Sequence, residues 1–182
     1  TSKWNERTLM NLLRGYVPAV HEYYKEKPSA SWVHWFSSFQ GEHIMRNASF
    51  EWVEDEIKAI GYEFSTFPKL DNTTVIEILK KYGWNTGKEA LVKGFIGDGR
   101  IAWRYDGVKN NVALEVELSS QPAIFKDCLK FLVDQGLNEI CLGVIMVRKE
   151  RLGKGPRFDS VGRDIIRIFE ALPMLATVVF GF

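Results

Sequence analysis

Asp106, Glu115 and Glu117 are the side chains whose type and spacing best suit chemistry. They lie in the run Tyr105-Asp106-Gly107-Val108-Lys109-Asn110-Asn111-Val112-Ala113-Leu114-Glu115-Val116-Glu117. Side chains alternate along a strand, so Glu115 and Glu117 share a face while Val116 points to the core. A two-residue turn at Lys109-Asn110 sets Asp106 opposite Ala113, on the face of Glu115. Three carboxylates then converge on one patch of a two-stranded ribbon. Such groups repel and raise one another's pKa unless a cation sits among them. Mg²⁺ takes hard oxygen ligands, keeps several waters and accepts a phosphate to complete its shell. Bound there, it activates a water and neutralises charge at a phosphorus transition state. On spacing alone, Glu-Val-Glu is more often just the solvated face of a half-exposed strand. The apolar residues around it make inward carboxylates costly and favour a functional reason for them.

The elements that must position these groups follow from periodicity. Helices are expected over residues 9–24, with Pro18 as a kink, over residues 49–60, ending at Gly61, and over residues 72–82. Asn72 or Thr73 would cap the last of these and Gly83 would follow its end. Residues 101–105 and 112–118 read as the strands on either side of the turn. Residues 121–134 return to helical spacing, with Ile124, Phe125, Cys128, Leu129 and Leu132 as one apolar stripe. The continuous apolar run over 140–147 is a buried central strand, residues 158–171 a further helix and residues 176–182 a last strand. The expected fold is α/β: a mixed five- or six-stranded sheet flanked by helices, in a single domain over 1–182.

The chain has 182 residues, 46% of them hydrophobic, enough to bury a core without staples. Cys128 and Cys141 sit in apolar runs without metal-ligand spacing and read as free thiols in a reducing compartment. Residues 1–7 are polar and show no signal-peptide pattern, and no apolar run reaches the length of a membrane span. A cytoplasmic location is therefore expected. The net charge of +1 argues against a strongly basic nucleic-acid binder, although a carboxylate cluster offsets a basic rim. His21, His34 and His43 have no metal spacing, and Trp32, Trp35 and Phe36 read as core.

With its Asp106, its Glu115-Val116-Glu117 and the helix start Ser119-Ser120-Gln121-Pro122-Ala123-Ile124-Phe125, the stretch 105–147 resembles the BglII/BstYI group of type II restriction endonucleases. More distantly it is similar to BamHI, within the PD-(D/E)XK nuclease superfamily. The likeness extends to Thr177-Val178-Val179-Phe180-Gly181-Phe182 and weakly to residues 41–51. The resemblance implies a restriction-endonuclease-like core and Mg²⁺-dependent cleavage of a palindromic double-stranded DNA site by a homodimer. It implies Asp106 and Glu115 as metal ligands, with the Val116 carbonyl adding another. Glu117 stands where most of the superfamily has Lys, BglII-like sequences Gln and BamHI Glu. There it would orient or deprotonate the attacking water, which leaves the general base open. Glu51 matches a family active-site position, and equally reads as part of a solvated face with Glu54, Asp55 and Glu56.

Ser119, Ser120 and Gln121 open a helix, where they suit an N-cap; in the relatives this helix start also reads bases. The most basic stretch is 148–157, where Lys154 and Arg157 are the choices for DNA contact; a solvated loop is the competing reading. Two other functions remain open. One is a repair or junction-resolving nuclease on the same core, told apart by cutting at branches or lesions. The other is a non-catalytic DNA-binding domain, told apart by the absence of metal-dependent cleavage.

Overall fold

Two asparagines set the geometry of the central hairpin. Asn110 and Asn111 both take positive φ, 49° and 61°, a conformation Asn tolerates better than most residues. Two successive left-handed residues make the tight turn whose twist matches the flanking strands. They join β2 (Gly107–Lys109) to β3 (Val112–Val116), with Lys109 opposite Val112 and Gly107 opposite Leu114. The expected turn at Lys109-Asn110 is therefore corrected by one residue. Continued by one step, this register brings Asp106 level with Glu115 rather than with Ala113. Moving a turn by one residue moves each partner by two, so Asp106 keeps the face that was expected.

The computed structural model describes residues 32–36, 51–95, 103–120, 122–148, 158, 160, 161, 164 and 177–182. All belong to one unit spanning Ser31–Phe182. A second unit, Thr1–Ala30, lies outside the described residues, and so does the helix expected there. The protein is mixed α/β. Four strands of five or six residues, β1 (Trp32–Phe36), β3, β4 (Leu142–Val147) and β5 (Thr177–Gly181), join the three-residue β2 in one sheet of order β1-β5-β4-β3-β2. The inner pairs β3–β4 and β4–β5 are parallel; the outer pairs, β1–β5 and β2–β3, are antiparallel. Every residue of β3 and β4 is buried, as expected of parallel strands covered on both sides. The strand expected over 101–105 is not formed by its described residues. Arg104 makes only an isolated bridge to Leu91, with Tyr105 N–H donating to the Ala90 carbonyl, before the chain bends at Asp106.

Helices cover the two sheet faces through glycine contacts. α1 (Glu51–Ser65) runs straight through Gly61, where a stop was expected. A Cβ at Gly61 would run into the Phe180 ring of β5, so this glycine serves close packing rather than termination. α2 (Asn72–Lys81) is capped by Asp71, whose carboxylate accepts from Thr74 N–H at 2.9 Å, rather than by Asn72 or Thr73. Gly83 follows it with φ 77°, as expected. α3 (Ala123–Gly136) lays the Phe131 ring onto Gly143 of β4, where a Cβ would collide with it. Burying such a ring is worth roughly 1.5–3 kcal/mol. Gly143 pairs with Ala113 and Thr177, whereas Phe180 pairs with Met146. Since paired residues share a face, α3 and α1 lie on opposite sides of the sheet.

The buried face of α3 differs from the expected stripe. Ile124, Cys128 and Phe131 are buried, but so are Asp127, Lys130 and Asp134, while Phe125 and Leu129 are exposed. The helix is turned by about 100°, one residue's rotation, from the purely apolar choice. Of residues expected in a helix over 158–171, Phe158, Ser160, Val161 and Asp164 are described, all helical, with Phe158 and Val161 buried. Among the described residues no helix is long and apolar enough to cross a membrane.

Candidate active site

The hairpin and α3 bring Asp106 and Glu115 together. Glu115 pairs with Ile145 and lies level with Ala113 and Gly143 on the α3 side. It is 6% exposed. Asp106 is fixed from the next strand: its Oδ2 accepts from the Val116 N–H at 2.8 Å. Burial pushes the Asp106 carboxyl up; the Val116 N–H and the charge of Lys130 pull it back, and the charge of Glu117 adds to the rise. Burial also pushes Glu115 well up, reinforced by the charges of Asp127 and Asp106 and opposed by Lys130. The two carboxyls feel each other, as the spacing implied.

Two partners come from α3. Lys130, 3% exposed, pairs with Glu115 and, at 2.9 Å, with Asp127. Its third hydrogen-bond acceptor is the Arg104 carbonyl at 3.3 Å. An ammonium has three donors, so these contacts satisfy it fully. Burial opposes the charge on Lys130, but the charges of Glu115 and Asp127 outweigh it and the pKa rises. Asp127 is raised to about 6, first by burial, with Lys130 opposing and the charges of Glu117 and Asp106 adding. The cluster thus spans Asp106, Glu115, Asp127 and Lys130. Asp127 and Lys130 were missed in the sequence, although Asp127, Lys130 and Asp134 recur at helical spacing.

Glu117 takes a different place. Its Oε1 accepts from Ser119 N–H and Ser119 Oγ, both at 2.7 Å, and from Ser120 N–H at 3.1 Å. It holds the turn that leads into α3. The expected serine cap is corrected: Pro122 occupies the N-cap position of α3, with no side-chain capping bond. Ser119 is exposed and Ser120 half-buried, both bonded to Glu117. Glu51 is the first residue of α1, but its side chain lies outside the described residues, as do Gln121, Lys154 and Arg157. Cys128 is buried and Cys141 half-buried; both are free thiols, as expected, and burial raises Cys128 to about 12.

Below the cluster the scaffold is closed by polar bonds. Tyr105 stacks on Phe131 at 5.7 Å, and its hydroxyl lies 3.0 Å from the Lys130 carbonyl and 3.1 Å from Asp134 Oδ2. Asp134 also accepts from the Lys93 and Gly94 N–H groups at 3.0 and 2.7 Å. These bonds fix the rotation of α3 and so the reach of Lys130.

Among the described residues, no group of three or more His, Cys, Asp or Glu side chains is arranged to hold a metal ion. The donor set still suits Mg²⁺, which commonly takes one or two protein carboxylates and fills its shell with water and phosphate. Asp106 and Glu115 supply two such carboxylates, in a buried place whose mutual charge a cation would relieve. No protein-family model and no curated protein matches the chain.

Proposed function

We propose that this chain is a subunit of a type II restriction endonuclease, hydrolysing phosphodiester bonds at a short palindromic site in double-stranded DNA with Mg²⁺. The observation that carries the reading is the juxtaposition of Asp106 and Glu115, buried on one face of a hairpin followed by a helix and a parallel strand. In this reading Asp106 and Glu115 hold the metal, with the Val116 carbonyl. Bound Mg²⁺ supplies a more acidic water and charge stabilisation at the phosphate. The chain's own residues do the positioning. The Val116 N–H aims Asp106, and Glu117, anchored through Oε1 to the serine turn, would orient the attacking water through Oε2. Ser119, Ser120 and Gln121, with Lys154 and Arg157, would face the DNA, and Glu51, whose helix covers the other sheet face, has no role in this reading. A two-fold homodimer matches a palindrome and cuts both strands. The restriction-endonuclease-like core belongs to the same proposal.

The test is incubation of phage DNA with the protein and Mg²⁺, followed by sequencing of the ends. Discrete fragments sharing one short palindrome are expected. Asp106→Ala and Glu115→Ala should lose all detectable cleavage and still bind the site, because these carboxylates serve metal rather than bases. Cleavage near the parent rate in either variant would overturn the assignment. Cuts that follow branches or lesions would move the protein to the repair nucleases. No cleavage with Mg²⁺ or Mn²⁺ would leave a binding domain.

A further inference from the structure

Lys130 is a cation already seated among the carboxylates. Its ammonium touches Glu115 on β3 and Asp127 on its own helix, and its third donor is held by the Arg104 carbonyl. Three carboxyls stand against one lysine: Glu115 and Asp127 pair with it, and Asp106 lies near enough to feel its charge. A buried lysine with a single carboxylate partner would need nothing more. Here a second carboxylate, Asp127, sits three residues before Lys130 on the same helix, where it can keep the ammonium when Glu115 is engaged elsewhere.

We propose that Lys130 is the built-in counter-ion of Glu115, and that a divalent cation engaging Glu115 leaves the ammonium to Asp127 alone. Lys130 and Asp127 are then positioning residues. They keep Glu115 in place without metal and set how tightly metal binds. The inference rests on the reading that Glu115 receives a divalent cation. No covalent bond is made or broken: Lys130 gives up its pair with Glu115 to the metal, keeps the one it already has with Asp127, and stays charged.

The physical consequence has a sign that a merely structural lysine would not give. Removing the competing positive charge should tighten Mg²⁺ binding by about tenfold or more, given the size of a charge–charge interaction at contact distance. Removing Asp127 takes away the second seat and leaves Lys130 on Glu115, so binding should weaken. Mg²⁺ binding is measured by calorimetric titration of the whole chain for the parent, Lys130→Met, Lys130→Arg and Asp127→Asn. Lys130→Met should bind more tightly, Asp127→Asn more weakly, and Lys130→Arg close to the parent. A second measurement needs no variant: the Nζ signal of Lys130 in the parent, followed by NMR during Mg²⁺ titration, should shift at saturation. The Lys109 Nζ signal serves as the internal reference and should not move.

Equal affinity in the parent and Lys130→Met would overturn the inference while leaving metal binding intact, as would a Lys130 signal unchanged at saturation. No Mg²⁺ binding by any form would overturn it together with the reading beneath it. Tighter binding by Lys130→Met in a protein that cuts no DNA would sustain the exchange and remove the nuclease.

Discussion

The hairpin carries a lysine–glutamate pair on each of its two faces, and the pairs are built differently. On the α1 side, Lys109 of β2 holds both oxygens of Glu56 at 2.7 and 2.8 Å and the Tyr82 carbonyl at 2.7 Å, with its ammonium 5.7 Å from the Trp52 ring. Trp84 Nε1 donates to the same carboxylate. One cation meets one anion, about a fifth exposed (24% and 19% for the two side chains), and every contact ties α1, the end of α2 and β2 together. On the α3 side, Lys130 and Glu115 are nearly dry, at 3% and 8%, and two further carboxylates crowd them. A balanced, half-wet pair explains itself as a clamp. An excess of buried carboxyls costs stability, and its retention fits the cation binding proposed above.

The comparison can be broken first by stability. In metal-free buffer, Lys130→Met should cost about 3–5 kcal/mol, because it strands buried carboxylates without their cation. Lys109→Met should cost only about 1 kcal/mol, since Glu56 keeps its Trp84 donor and the pair is partly screened by water. Urea unfolding of both variants measures this, and equal losses would erase the distinction between clamp and site.

The next effect is on pH. Asp127 is raised to about 6 from an ordinary 3.8, with burial as the main cause, so between those values the folded chain holds a proton that the unfolded chain has released. The unfolded chain binds fewer protons there, and stability without divalent cations should fall as pH rises from about 4 to about 6. Asp106 and Glu115, also raised by burial, add to the fall with the same sign. Asp127→Asn should flatten the profile, and saturating Mg²⁺ should oppose the fall by favouring the ionised carboxylates. Urea midpoints across this range test the slope; a rise in stability with pH would contradict it.

The smallest effect separates Glu117 from both pairs. Its Oε1 holds the Ser119–Ser120 turn through accepted hydrogen bonds, and an amide oxygen can accept them equally. Glu117→Gln should therefore keep the fold and retain cleavage within about tenfold, the lower range for loss of a residue that only orients others. A loss as complete as that of Glu115→Ala would make Glu117 a direct participant in the chemistry.

The amino-acid sequence by itself carried the convergence of Asp106 and Glu115. Strand alternation has a period of two, so a turn misplaced by one residue still delivered both carboxylates to one face. The apolar run over 140–147 and the residues of β5 were equally legible, because a strand buried on both sides can tolerate little else. The rotation of α3 was not legible. Phe125 and Leu129 offered one apolar stripe, and Phe131 with Asp127, Lys130 and Asp134 offered another next to it. Helical periodicity cannot rank two adjacent stripes when the charged one is solvated by partners distant in sequence. Only the packed structure decides, through Gly143 receiving the Phe131 ring and through Glu115 and the Lys93–Gly94 amides meeting the charges of the helix. The same reason governs Gly61, a helix end by local rule but an interior residue once the Phe180 ring requires the space. Local preferences amount to about 1 kcal/mol at such a position, and the packing of a buried ring outweighs them.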